Sequence, residues 1–135
     1  LYNVAVMRFG KDLTEQSADE IDSDMQVDLT TAIRAIHAAI PALAAKGGGT
    51  ILLTGGGLAD APNGKALTIS LGKVGLRAAA QALAPALKAQ NIHISSLTVN
   101  SGVAPESEHA RAIAEAYWRI HATPPDAWAA EVRYP

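Results

Sequence analysis

The chain has 135 residues, is 49% hydrophobic and 18% charged, carries a net charge of −2 at pH 7 and contains no cysteine. This is the composition of one folded domain with enough residues to bury a core, and its balanced charge offers no positive field to nucleic acid or to an anionic membrane surface. Without cysteine there is no disulfide framework, thiolate nucleophile or cysteine-containing zinc site. No run of about 18 apolar residues and no signal-peptide layout marks a membrane span or export, so the expected location is cytoplasmic.

Alanine occupies 28 positions and aromatic residues only 4% of the chain. The core must therefore form from small side chains on closely approaching elements. Leu1 to Val6 (LYNVAV) is apolar, β-rich and too short for a helix, and reads as a buried strand. A chain that begins inside a strand reads as part of a longer one. Ser17-Ala18-Asp19-Glu20 is a capping box, in which the serine hydroxyl accepts the Glu20 amide and the glutamate reaches back to the Ser17 amide.

Leu29, Ile33, Ile36, Ile40 and Leu43 recur at steps of four and three, which puts them on one face of a long helix. A stripe of Ala32, Ala35, Ala39 and Ala42 runs beside that face. Pro41 frees the carbonyl of His37 and predicts a kink or an early end, and Gly47-Gly48-Gly49 stops the helix. Thr50 to Thr54 is a short apolar run between glycines, the pattern of a strand buried on both faces. Ala66 to Ala89 is a second long helix, with Leu76, Leu83 and Leu87 on its core face and Leu71 and Val74 flanking. Its opposite face, Gly72, Gly75, Ala79, Ala82 and Ala86, is bare and suits tight packing on a sheet or a partner helix, and Pro85 should bend its last turns.

Ile92 to Val99 reads as a third strand and Asn100 to Ser107 as its exit loop. His109 to His121 is a third helix carrying Ile113, Tyr117 and Ile120, stopped by Pro124-Pro125. Ala130 to Tyr134 is a candidate last strand. Strands alternating with long helices imply a parallel α/β sheet of three or four strands, with right-handed crossovers and helices on both faces.

The glycine runs fail the spacing of phosphate-binding loops. Gly-x-Gly-x-x-Gly is absent, Gly55-Gly56-Gly57 lies about nine residues before its helix, and Gly64-Lys65 and Gly72-Lys73 lack the rest of a P-loop. The four histidines, His37, His93, His109 and His121, show no metal-ligand spacing. Glu106, Glu108 and His109 fit a helix start, and Trp118 and Trp128 are expected to pack.

Three segments together carry a resemblance. Leu1-Tyr2-Asn3-Val4-Ala5-Val6 resembles a strand ending in Asn-Asn-Ala-Gly, with Asn3 and Ala5 retained. Gly49 to Gly56 is similar to Gly-x-Ile-Val-x-x-Ser-Ser, and Lys73 stands where Tyr-x-x-x-Lys places its lysine. The Ile92 strand and Ser101-Gly102 resemble a closing Ile-x-Val strand and Pro-Gly. These are the motifs of the short-chain dehydrogenase/reductase family, and the match runs up to Gly102.

The resemblance implies the C-terminal part of a three-layer Rossmann-like parallel sheet and an oxidoreductase using NAD(P). It implies cofactor contacts at Asn3, Ala5, Lys73 and Gly102, a catalytic role for Lys73, and a homodimer through the two long helices. In the family a tyrosine is the general acid/base, a serine orients the substrate oxygen, an asparagine holds a relay water, and the lysine lowers the tyrosine pKa and binds ribose. Counted back from Lys73, those first three positions are Ile69, Gly56 and Asp28. A side chain at Ile69 has no proton to give, and Thr68 and Ser70 beside it are far weaker acids than a phenol. The sequence therefore reads as a family member unable to transfer hydride as it stands, the alternative being a non-catalytic binding or assembly module. The dinucleotide fingerprint and the residues that choose NAD or NADP belong to the family's first half, upstream of this segment.

Overall fold

The computed structural model describes residues 1–134. Three parallel strands, β1 (Gly49–Thr54), β2 (Ile92–Val99) and β3 (Glu131–Tyr134), form a sheet in the order β1-β2-β3. Two long helical stretches cover one face. The first is α1 (Ala18–Met25), a π turn (Gln26–Thr30) and α2 (Thr31–Ala45) in one run; the second is α3 (Leu67–Lys88). The other face carries α4 (Glu108–Ala122).

Alternation along the strands makes this division. Ile51, Leu53, Ile92 and Ile94 meet Ile36, Leu76, Ala80 and Leu87 on the α2/α3 side. Leu97 meets Ile113, Tyr117 and Ile120 on the α4 side. With both faces covered, β2 is buried from Ile92 to Thr98, as expected of a central parallel strand.

The capping box forms as the sequence requires. Ser17 Oγ accepts the Glu20 N–H at 3.2 Å and Glu20 Oε2 accepts the Ser17 N–H at 3.0 Å. The run Ala18–Ala45 is long and apolar enough to cross a membrane by length and composition. One face of it places Ala32 and Ile36 in the core and buries Asp24 and Asp28 against other elements, while most of the residues from Thr31 to Ala45 are exposed. Pro41 does not end the helix, which continues to Ala45. His37, whose carbonyl Pro41 leaves free, is exposed, so water can serve that acceptor. At the stop, Gly48 has φ +136° and a Cβ there would lie 2.4 Å from the Asn91 carbonyl oxygen, so only glycine fits.

Leu1 to Val6 differs from its strand reading. Tyr2 alone bridges β1, donating to Leu52 O at 2.8 Å and accepting Thr54 N at 3.0 Å. Beyond it the chain is drawn off the sheet: the Val6 N–H goes to Asp28 and Arg8 forms a two-point ion pair with Asp24. Trp118 is also not packed, being 68% exposed.

Candidate active site

The C-terminal ends of β1 and β2 collect the residues of interest. The Tyr2 bridge sets exposed Asn3 beside the end of β1, and Ala5 is half-buried in the same segment. Lys73, one turn into the buried part of α3, donates from Nζ to the Thr54 carbonyl at 2.8 Å. Gly56 lies against its stem: a Cβ at position 56 would sit 3.7 Å from Lys73 Cγ and Cε and from Val99 O, ordinary contact with room for a small side chain. Gly102, in the loop after β2, has no atom within 4 Å of where its Cβ would be.

Asp28 lies under this cluster on the π turn. Its Oδ1 accepts the Val6 N–H at 2.7 Å, and its Oδ2 is buried with no partner among the described residues. Close approach of α3 causes that burial. A Cβ on Gly72 would lie 2.6 Å from Asp28 Cβ and one on Gly75 2.7 Å from Leu29 Cδ1. The bare face of α3 is thus used, at these two glycines, inside the chain against the π turn. Ala82 and Ala86 further along remain exposed, as do Leu71 and Val74.

Burial pushes the Asp28 carboxyl up, opposed by the Val6 N–H and by Lys73. Burial pushes Lys73 down, opposed by Asp28. Each group therefore holds its charge less readily than in water, and their mutual attraction only partly restores it.

Ile69, at the phenol position, is 1% exposed and part of the interior. Both neighbouring hydroxyls are committed elsewhere. Thr68 donates to Asp24 Oδ2 at 3.0 Å, and Ser70 donates to Ala66 O at 2.7 Å while accepting the Asn63 N–H. Two phenols approach from other elements. Tyr2 donates to Val27 O, and Tyr117 shares a 2.6 Å hydrogen bond with Thr54 Oγ1 from the α4 side. Burial, aided at Tyr2 by the Asp28 charge, raises both pKa values, the opposite of what a proton-transfer phenol needs near neutral pH.

Two charge clusters escaped the sequence reading. Arg8 binds Asp24 through Nε–Oδ2 at 2.8 Å and Nη2–Oδ1 at 3.1 Å, and Glu20 through Nη1 at 2.8 Å. The Arg8 hydrogen bond holds Asp24 below the usual carboxylate range despite full burial. The Lys11 hydrogen bond and the Ser17 N–H hold Glu20 at about 2. This clamp fixes the segment that delivers Val6 to Asp28. The second cluster joins Asp60, after β1, to Arg77 of α3 at 2.7 Å and to Arg133 of β3 at 2.7 Å, with Glu131 on the same arginines. It ties the loop after Gly56 to the far strand. Among the described residues no group of three His, Asp or Glu side chains converges on a point where a metal could bind.

The profile of the family described as enoyl-(acyl carrier protein) reductase matches residues 1–131. The chain belongs to the short-chain dehydrogenase/reductase family. Its fold is similar to that of a short-chain dehydrogenase from Rhodopseudomonas palustris, at 24% identity and TM-score 0.86, covering 98% of this chain and 59% of that one. A serine dehydrogenase from Escherichia coli matches at 14% identity and TM-score 0.85, with 98% and 60% covered. A metagenomic short-chain oxidoreductase solved in complex with NADP matches at 22% identity and TM-score 0.85, with 99% and 61% covered. The chain thus spans about three-fifths of the length of these solved structures. No curated protein matches it.

Proposed function

We propose that this segment of a short-chain dehydrogenase/reductase keeps the nicotinamide end of the family's site and has lost the family's proton-transfer chemistry, so that it acts by binding rather than by hydride transfer. The observation that carries this reading is the interior Ile69 at the phenol position, with Thr68 and Ser70 both committed to structural hydrogen bonds. General acid/base catalysis is worth roughly 10²–10⁴-fold, and neither the interior Ile69 nor the committed hydroxyls of Thr68 and Ser70 are suited to supply it.

NAD(P) is the proposed ligand. Lys73 Nζ donates one hydrogen bond to Thr54 O and keeps further N–H donors for ribose hydroxyls. Asn3 and Ala5 flank β1, and the open side of Gly102 leaves space past the end of β2. These residues fit the ribose end of the cofactor and lie where open parallel sheets bind ligands, at the carboxyl ends of the strands. In a family member with its proton-transfer groups intact, the bound cofactor would supply the hydride. The NADP in a structural neighbour supports the same assignment.

The family's oligomeric habit, together with exposed Leu71 and Val74 on α3 and Ile33 on α2, favours a homodimer through the long helices, in a cytoplasmic setting. A second reading, an active oxidoreductase, is favoured by family membership. Titration of the purified protein with NADPH and NADH by fluorescence tests the binding half: saturable binding that Lys73→Met weakens is expected, and no binding at millimolar cofactor would remove NAD(P) from the account.

A further inference from the structure

At the opposite end of the sheet from Lys73, a cavity of about 210 Å³ opens between the last turns of α3 and the start of β2. Pro85 and Lys88 line one side, Ile92 and Ile94 the floor, and Trp128 and Ala130 the other side. The late start of β3 creates it. The ladder to β3 begins at Ser96, whose N–H meets Ala130 O at 2.9 Å. The carbonyls of Asn91 and Leu97 face β1, accepting Gly49 and Gly55, so by alternation the peptide groups of Ile92 and Ile94 face the β3 side. No strand lies opposite them.

The charge of the cavity is single and positive. Trp128 stacks on His93 at 4.8 Å with planes 4° apart. The His93 Nε2–H donates to Ala129 O at 3.2 Å, and burial pushes the ring pKa down, leaving this wall neutral. Exposed Lys88 makes no ion pair among the described residues. An apolar cavity of roughly 150 Å³ admits benzene, so the volume here suits one aromatic ring with a substituent.

We propose that this cavity binds a small aromatic or similarly compact apolar monocarboxylate, its apolar body against Pro85, Trp128 and Ala130 and its carboxylate at Lys88. A single cation beside an apolar wall selects a monoanion with an apolar body over phosphate or a neutral analogue. The site is separate from the C-terminal edge and does not depend on cofactor binding there.

Benzoate and its uncharged counterpart benzamide are the probes. In the Trp118→Phe protein, which leaves Trp128 as its one tryptophan, benzoate is expected to change the emission saturably, and the amides of Ile94 and Ala130 are expected to move in NMR spectra. Lys88→Gln, a change at an exposed residue, should weaken benzoate by about fivefold, the upper range for an exposed ion pair, and leave benzamide unaffected. Absence of a saturable change up to about 20 mM benzoate would overturn the proposal. So would equal binding of both probes with no effect of Lys88→Gln, or shifts confined to Asn3 and Lys73.

Discussion

Gly72→Ala sets two physical effects against each other. In an exposed helix interior, alanine is more stable than glycine by roughly 0.5–1 kcal/mol, because glycine loses more backbone freedom on folding. At position 72 the added Cβ would lie 2.6 Å from Asp28 Cβ, 3.1 Å from Asp28 O and 3.3 Å from its carbonyl carbon. Carbon pairs prefer about 3.5–4.0 Å, so the π turn or α3 must retreat by about 1 Å. The obstacle is backbone and Cβ, which cannot rotate away, and retreat also strains the bond from the Val6 N–H to Asp28 Oδ1. Overpacking of this kind costs about 1–3 kcal/mol, so the expected net effect is a loss of about 1–2 kcal/mol. Gly75→Ala meets side-chain atoms of Leu29 alone, Cδ1 at 2.7 Å, Cδ2 at 2.9 Å and Cγ at 3.3 Å, which can move by a change of rotamer, and should lose less. Urea unfolding of the two variants checks the order. A Gly72→Ala protein more stable than wild type, as at an exposed helix site, would refute the close approach of α3 to Asp28.

Other outcomes follow from the same geometry. Arg8→Met removes the cation that keeps buried Asp24 ionised. In the wild type this group adds stability above the unfolded aspartate pKa of about 3.9 that fades as pH falls through its lower folded value. In the variant, burial raises Asp24, so its contribution reverses sign and declines as pH rises; unfolding curves between pH 3 and 7, spanning that unfolded value, distinguish the two slopes. Asp28 already has the raised form, so wild-type stability should drop as pH increases through its folded pKa, and Asp28→Asn should flatten that slope. Gly56→Ser, with only 3.7 Å contacts around the new Cβ, should change stability by no more than about 0.5 kcal/mol. Thermal melts of this variant and wild type read that difference.

Local signals made much of the fold legible. The capping box at Ser17, the apolar run of β2 and the periodicity of α3 each depend on neighbours within a few residues, and each formed within a residue or two of the expected place. The composition of Leu1 to Val6 favours a strand, but its path is decided by Asp24 and Asp28, distant in sequence. The small-residue face of α3 was legible as a close contact but not as one within the chain, since glycine spacing does not name the opposing surface. Lys73 is singled out by family motifs alone. Its partner, the Thr54 carbonyl, is a backbone group that any residue would offer. The Asp60–Arg77–Arg133 cluster joins positions from three elements and has no sequence periodicity to reveal it. The interior placement of Ile69 required the packing of α3 to be seen.

The proposed function separates two properties, cofactor binding at Lys73 and proton transfer at the Ile69 position. The most direct test follows NADPH and NADH oxidation by absorbance with the purified protein and a panel of aldehydes and ketones, beside Lys73→Met. The account predicts rates equal to the uncatalysed background for both proteins, even at cofactor concentrations that saturate the wild type. Turnover of any carbonyl by the wild type that Lys73→Met abolishes would contradict it, and would show that another group gives up the proton.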